Sequence, residues 1–182
     1  MASSVGWWCL GGALPLGSAG IRSNPGDEAS VVAILQANIL EPGFYILPGT
    51  TELRHLTKEQ RTAAEAEWTE KYRRGPTGSL IYRPAGGEPV SLRQLGTELL
   101  SNILGATIAA ILLTMAGGGL TSFVARVVFV TLLGLFASIA IDVSHWNWYG
   151  FPTTYTVAAL ADQVLSWFFG GLVLAAIVRA RA

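Results

Sequence analysis

With 182 residues, 12 Lys/Arg against 12 Asp/Glu and a formal net charge of zero, the chain offers no electrostatic footprint for nucleic acid or an anionic surface. Its single cysteine, Cys9, excludes an internal disulfide. The charge is unevenly spread: nine Lys/Arg and nine Asp/Glu fall between residues 22 and 93, leaving Glu98, Arg126, Asp142, Asp162, Arg179 and Arg181 for everything else, the pattern of a membrane protein with a water-exposed part.

Residues 5–21 are uncharged and, as a helix, would rise about 25 Å, just short of the ~30 Å hydrocarbon core. Glycine and Pro15 make the segment a poor helix by propensity, and the small residues Gly17 and Ala19 also suit a cleaved signal peptide. The missing positive n-region favours a retained first membrane helix. After Arg22, the run Ser-Asn-Pro-Gly-Asp-Glu supplies Asn24 as a cap, Pro25 for the first turn and Asp27 and Glu28 for the helix dipole, predicting a helix to about Ile39. Its apolar face is Val31, Leu35 and Ile39. Glu41-Pro42-Gly43 stops it, and residues 44–47 read as a short strand closed by Pro48-Gly49.

Thr57 and Gln60 have capping-box spacing at the start of a polar helix over 57–74, with Glu67/Lys71 and Glu70/Arg74 in the favourable order. Its one apolar stripe is Ala64, Trp68 and Tyr72. The carboxylates are paired with bases, so the helix reads as a solvated face rather than a metal site, and the lone His55 reads as a surface or capping residue. After the turn at Gly75-Pro76-Thr77-Gly78, residues 79–82 make a second strand, pairing antiparallel with the first. A two-stranded ribbon is marginal by itself, which makes residues 22–94 a cap rather than an independent domain.

Ser91 and Gln94 form another capping box opening a helix with an apolar run over 99–116, broken by Gly117-Gly118-Gly119; 123–141 and 157–178 are two further spans. Each carries small residues four apart, Ser101/Gly105/Ala109, Gly134/Ser138 and Ser166/Gly170 with Gly171 and Ala175, which lets backbones approach closely. The fold class is thus a mostly α membrane protein: four transmembrane helices, the first short and Gly-rich, with a small extracytoplasmic α+β cap containing a two-stranded β ribbon. Its parts are a first helix at 5–21, the cap at 22–94 and a three-helix bundle at 95–178 with an aromatic outer loop at 142–156.

That loop holds Trp146, Trp148 and Tyr149, interface aromatics, and no Lys or Arg, whereas the chain ends in Arg179 and Arg181. By the positive-inside bias, the loop and cap face outward and the C-terminus is cytoplasmic. Charged groups within spans are costly and are functional candidates by default. Asp162, with Gln163, lies inside the last span; Glu98 and Asn102 sit one turn apart at the outer end of the second; Asp142 ends the third, near His145. Converging, these groups would make a proton, cation or headgroup site. The alternatives are plain: Glu98 and Asp142 as interfacial anchors, Arg126 reaching to the cytoplasmic surface. His145 is a possible axial ligand to haem or chlorophyll, but it lies in a loop, and a bis-His haem would need His55, the sole other histidine, to reach it. No nucleophile with its base, no metal cluster and no dinucleotide loop is present, so neither an enzyme nor a cofactor is expected.

Leu-Pro-Leu-Gly (14–17), Glu-Pro-Gly-Phe-Tyr-Ile-Leu-Pro-Gly (41–49), Ser-Leu-Ile-Tyr-Arg-Pro-Ala-Gly-Gly (79–87) and Trp-Asn-Trp-Tyr-Gly-Phe-Pro (146–152) resemble a group of small bacterial four-helix membrane proteins with no assigned function. The resemblance implies a bacterial inner-membrane setting and transfers no chemistry. The expectation is a non-catalytic accessory or structural subunit of a larger membrane complex, in contact with lipid and with other subunits or itself. The alternative is a small transporter or ligand-binding protein using the outer-side carboxylates.

Overall fold

The computed structural model describes residues 19–22, 26–50 and 55–178. The chain divides into two compact units, Ser23–Gly87 and a helical unit made of Met1–Arg22 with Glu88–Ala182. The first apolar segment, up to residue 18, and the terminal arginines Arg179 and Arg181 lie outside the described residues.

In the smaller unit, α1 (Glu28–Asn38) is capped by Asp27, whose side chain accepts from the Ala29 N–H at 3.1 Å and from the Ser30 hydroxyl. An aspartate directly before the first helical residue reaches its free N–H groups, so Asp27 is the cap; Asn24, the cap expected from sequence, lies outside the described residues. β1 (Gly43–Leu47) and β2 (Gly78–Tyr82) pair antiparallel with Phe44 opposite Ile81 and Tyr45 opposite Leu80. Between them α2 (Lys58–Arg74) opens on the Thr57/Gln60 capping box and carries Glu67–Lys71 and Glu70–Arg74 ion pairs at 2.7 and 3.1 Å. Trp68 Nε1 donates to the Pro48 carbonyl at 3.1 Å, tying α2 to the end of β1, and its ring lies 5.1 Å from that of Tyr72.

The helical unit begins with α3 (Leu92–Met115), opened by the Ser91/Gln94 capping box. A single 3-10 turn, Gly117–Gly119, separates it from α4 (Phe123–Ser138), capped by Ser122. The chain stays helical beyond α4 through a π segment, Ile139–Val143, into α5 (Ser144–Tyr149), and turns at Gly150 into α6 (Thr153–Ile177). Leu92–Met115, Phe123–Tyr149 and Thr153–Ile177 are each long and apolar enough to cross a membrane.

Two boundaries differ from the sequence reading. Most of the expected outer loop is helix, and the true connection is Gly150, Phe151 and Pro152. The last helix starts at Thr153, so Asp162 lies nine residues, about 13 Å at 1.5 Å per residue, from its beginning.

The core of this unit is made of small side chains. Val127, Val130, Gly134 and Ser138 recur every three or four residues on α4 and are buried against Thr156, Ala158, Gly171 and Ala175 of α6, with Ala109 and Leu113 of α3 joining them. Close backbone approach, rather than large apolar burial, holds such helices together in lipid.

Candidate functional site

One contact sets the register of the three long helices. A Cβ at Gly134 would stand 2.3 Å from Trp167 Cγ and 2.5 Å from Trp167 Cβ, so the indole of α6 lies directly on the α4 backbone. The far edge of the same ring reaches α3, where a Cβ at Gly105 would be 3.9 Å from Trp167 Cη2. Further along, Gly171 faces Val127 and Val130, so α4 and α6 run antiparallel and each residue gained on one is lost on the other. At Gly134 the absent side chain is what leaves room for the indole, whereas a Cβ at Gly105 would make an ordinary van der Waals contact with it.

Heights above this peg follow from the rise of 1.5 Å per residue. Moving toward the Gly150 end, Asn102 and Glu98 lie about 4 and 10 Å above it on α3, Ser138 and Asp142 about 6 and 12 Å on the α4 side, and Gln163 and Asp162 about 6 and 7 Å on α6. The three carboxylates, Asn102 and Gln163 therefore occupy one slab, on one side of the Trp167 level, and Arg126 lies on the other.

Within that slab the groups differ. Asp142 sits in the π segment and accepts a hydrogen bond from the Ser138 hydroxyl, which is 1% exposed. The two residues are four apart, the spacing at which side chains one turn apart on a helix meet. Asn102 is half-buried, and its Oδ1 is enclosed without a hydrogen-bond partner; Trp167 Nε1 is in the same condition. Glu98 and Asp162 are half-buried. Arg126 lies in the first turn of α4, on the opposite side of the peg, with its Nε enclosed and unpaired.

His145 belongs to a ring cluster. Its imidazole stacks on Phe151 at 5.3 Å and meets Tyr149 edge-on at 5.7 Å, and Phe151 continues to Tyr155 at 5.3 Å. Trp146 Nε1 donates to Thr153 Oγ1 at 3.1 Å, closing the short connection between α5 and α6. Trp148 is 77% exposed. This cluster gives His145 a packing role, and His55 is exposed in the other unit. Among the described residues no group of three or more His, Cys, Asp or Glu side chains is arranged to hold a metal ion.

Sequence reasoning did not single out Trp167 and took Ser138 only as a small residue at a close helix contact. Trp167 is inconspicuous within an apolar run, and the signal that could have found it is the alignment of Gly105 and Gly134 at mid-span on two different helices. Comparison with protein-family models, with characterised proteins and with solved structures returned no match.

Proposed function

We propose that the protein is a non-catalytic accessory or structural subunit of a larger bacterial membrane complex, with four membrane helices and residues 23–87 as an extracytoplasmic α+β unit that contacts the partner. The observation that carries this reading is the character of that unit. None of its described residues is fully buried, and one ribbon face presents Phe44, Ile46 and Ile81 at 49, 45 and 72% exposure, with Val31, Val32 and Ile34 of α1 exposed as well. Contiguous exposed apolar side chains on a polar unit mark a surface that another molecule covers.

Sidedness in this reading rests on charge. Arg126 stands at the end of the bundle where α6 finishes and Arg179 and Arg181 follow in the sequence, while the Trp146/Trp148/Tyr149 end has no Lys or Arg between 142 and 156. The basic end is cytoplasmic and the aromatic end periplasmic under the positive-inside bias. Mild-detergent purification from native membranes tests the subunit reading. The wild type is expected to bring a larger membrane protein with it, and Ile81→Lys to reduce that recovery at least about tenfold, the loss of one good interface side chain. Recovery of a lone monomer from wild-type membranes, or no change with Ile81→Lys, would overturn it.

A second reading, a small transporter or ligand-binding protein, is favoured by the unpaired Asn102 Oδ1 in the same slab as Asp162. It expects Asp162→Asn to abolish ligand binding or transport in liposomes while leaving expression intact. Retained transport in that variant removes Asp162 from the reading.

A further inference from the structure

The three long helices are not held equally. Between α4 and α6 the backbones themselves approach: a Cβ at Gly171 would lie 3.2 Å from the Val127 carbonyl oxygen, and one at Gly134 would overlap Trp167. α3 joins this pair along one stripe, Glu98, Asn102, Gly105, Ala109 and Leu113, three or four residues apart on a single face. Burial along the stripe falls with distance from the Gly117–Gly119 turn. Leu113 and Ala109 are buried, whereas Gly105, Asn102 and Glu98 are half-buried, and a Cβ at Gly105 would touch the edge of the Trp167 ring at 3.9 Å.

The stripe changes chemistry where it loosens. Near the turn it is apolar. Farther along, Asn102 Oδ1 on α3 and Trp167 Nε1 on α6 are both enclosed without a hydrogen-bond partner among the described residues, the first an acceptor and the second a donor. The hydroxyls of α3 make no such demand, since Ser101, Thr107 and Thr114 each donate to a carbonyl of their own helix. An enclosed amide oxygen or indole N–H without a partner costs free energy that contact with water relieves. The packed position of α3 is therefore favoured at its apolar end and opposed at its polar end.

We propose that α3 is a gate, hinged at Gly117–Gly119, which swings its Glu98/Asn102 end away from α4 and α6 and admits water to Trp167. The turn suits a hinge. Nothing lies within 4 Å of where a Cβ would stand at Gly118 or Gly119, and neither has a positive φ, so neither packing nor the packed backbone conformation requires glycine there. What glycine adds is freedom to rotate. The helix then acts as a lever. Leu113 is four residues from the turn and Asn102 fifteen, about 6 and 22 Å along the axis, so a swing that displaces Leu113 by about 1 Å displaces Asn102 by about 4 Å. That exceeds the ~2.8 Å diameter of a water molecule. The gate depends neither on which side of a membrane its open end faces nor on either functional reading.

Exchange of the Trp167 indole N–H with D2O reads the gate directly. The full-length protein, uniformly labelled with 15N in detergent micelles, would be followed by NMR, with Trp167→Phe identifying the indole signal. The amide of Val130, fully buried in α4, reports opening of the whole unit. In the wild type the Trp167 N–H is expected to be protected at least about tenfold less than that amide, the mark of a local opening. Asn102→Leu removes the unpaired acceptor and should slow the indole exchange about fivefold or more, the factor set by one unmet polar group. Gly118→Ala combined with Gly119→Ala should slow it as well, with Val130 unchanged. Trp167 exchanging in step with Val130 in the wild type overturns the gate whether or not the variants fold. So does indole exchange at the wild-type rate in either Asn102→Leu or the double alanine variant.

Discussion

The peg formed by Trp167 is the residue on which the helical unit is most sensitive. Adding one methyl at Gly134 would put a carbon 2.3 to 2.5 Å from three atoms of that side chain, none of them a flexible tip. Gly134→Ala is therefore expected to destabilise the bundle by about 1–3 kcal/mol, the range for overpacking a filled core. Gly96→Ala is the matched control on α3, since nothing lies within 4 Å of that site, and helix propensity there favours alanine by about 1 kcal/mol. Thermal unfolding in detergent of the two variants beside wild type checks both expectations. If Trp167 is the cause, Gly134→Ala and Trp167→Ala together cost less than the sum of the two single variants, because alanine lacks Cγ and Cδ1, two of the three atoms that crowd the new methyl. The sequence made the glycines visible as a spacing pattern, but which of them meet a helix and which stand open depends on the partner's side chain. Gly134 and Gly170 look equivalent as letters and are opposite in environment.

At the scale of elements, each of the two helices of the smaller unit is tied to an exposed carboxylate. The Lys71 ammonium, through a hydrogen bond and its charge, holds Glu67 below its ordinary value, and hydrogen bonds from Ser30 do the same for Asp27 at the head of α1. A lowered folded-state pKa means stabilisation that is complete above the ordinary carboxylate range and is lost as pH falls through the lowered value. Helix content of residues 23–87 should therefore decrease on acidification below about pH 4, and the Glu67 part should also weaken with added salt because both partners are exposed. Circular dichroism across that range checks it; helicity unchanged down to about pH 2 would contradict the assigned causes. The starts of α2 and α3 were the most legible part of the chain. Thr57 with Gln60 and Ser91 with Gln94 are local signals, complete within four residues, and both boxes form. The π segment was not legible, since nothing in Ile-Ala-Ile-Asp-Val departs from an apolar helical run ending in a carboxylate. The segment packs on α6, a contact between residues far apart in sequence that no local pattern announces. For the same reason the aromatic stretch was read as a loop: polar and aromatic residues ended the apolar run, yet the backbone continued its helix to Tyr149.

For the whole molecule, the alternation of apolar runs and breaks was enough to read three spans and a ribbon, because burial in lipid demands long uncharged helices whatever their partners. The slab of polar side chains was legible only as a set of names. Its common height depends on the Gly105–Trp167–Gly134 contact, which joins residues far apart in sequence. The uninterrupted helix from Phe123 to Tyr149 has a consequence of its own. Its 27 residues span about 40 Å, some 10 Å more than an average hydrocarbon core, and more than either Leu92–Met115 or Thr153–Ile177. The other two, of 24 and 25 residues, span about 36 and 37 Å, so this helix has the largest reserve of length by about 3 to 4 Å, and Trp146 and Trp148 stand at its end. The protein should accordingly accept bilayers of different thickness unequally. Reconstitution into lipids with progressively longer acyl chains is expected to draw Trp148 from water into the headgroup region, read as a blue shift of tryptophan emission that is absent in Trp148→Phe, before the shorter helices begin to tilt less. An emission maximum independent of chain length would mean that the end of the long helix is held clear of the lipid altogether.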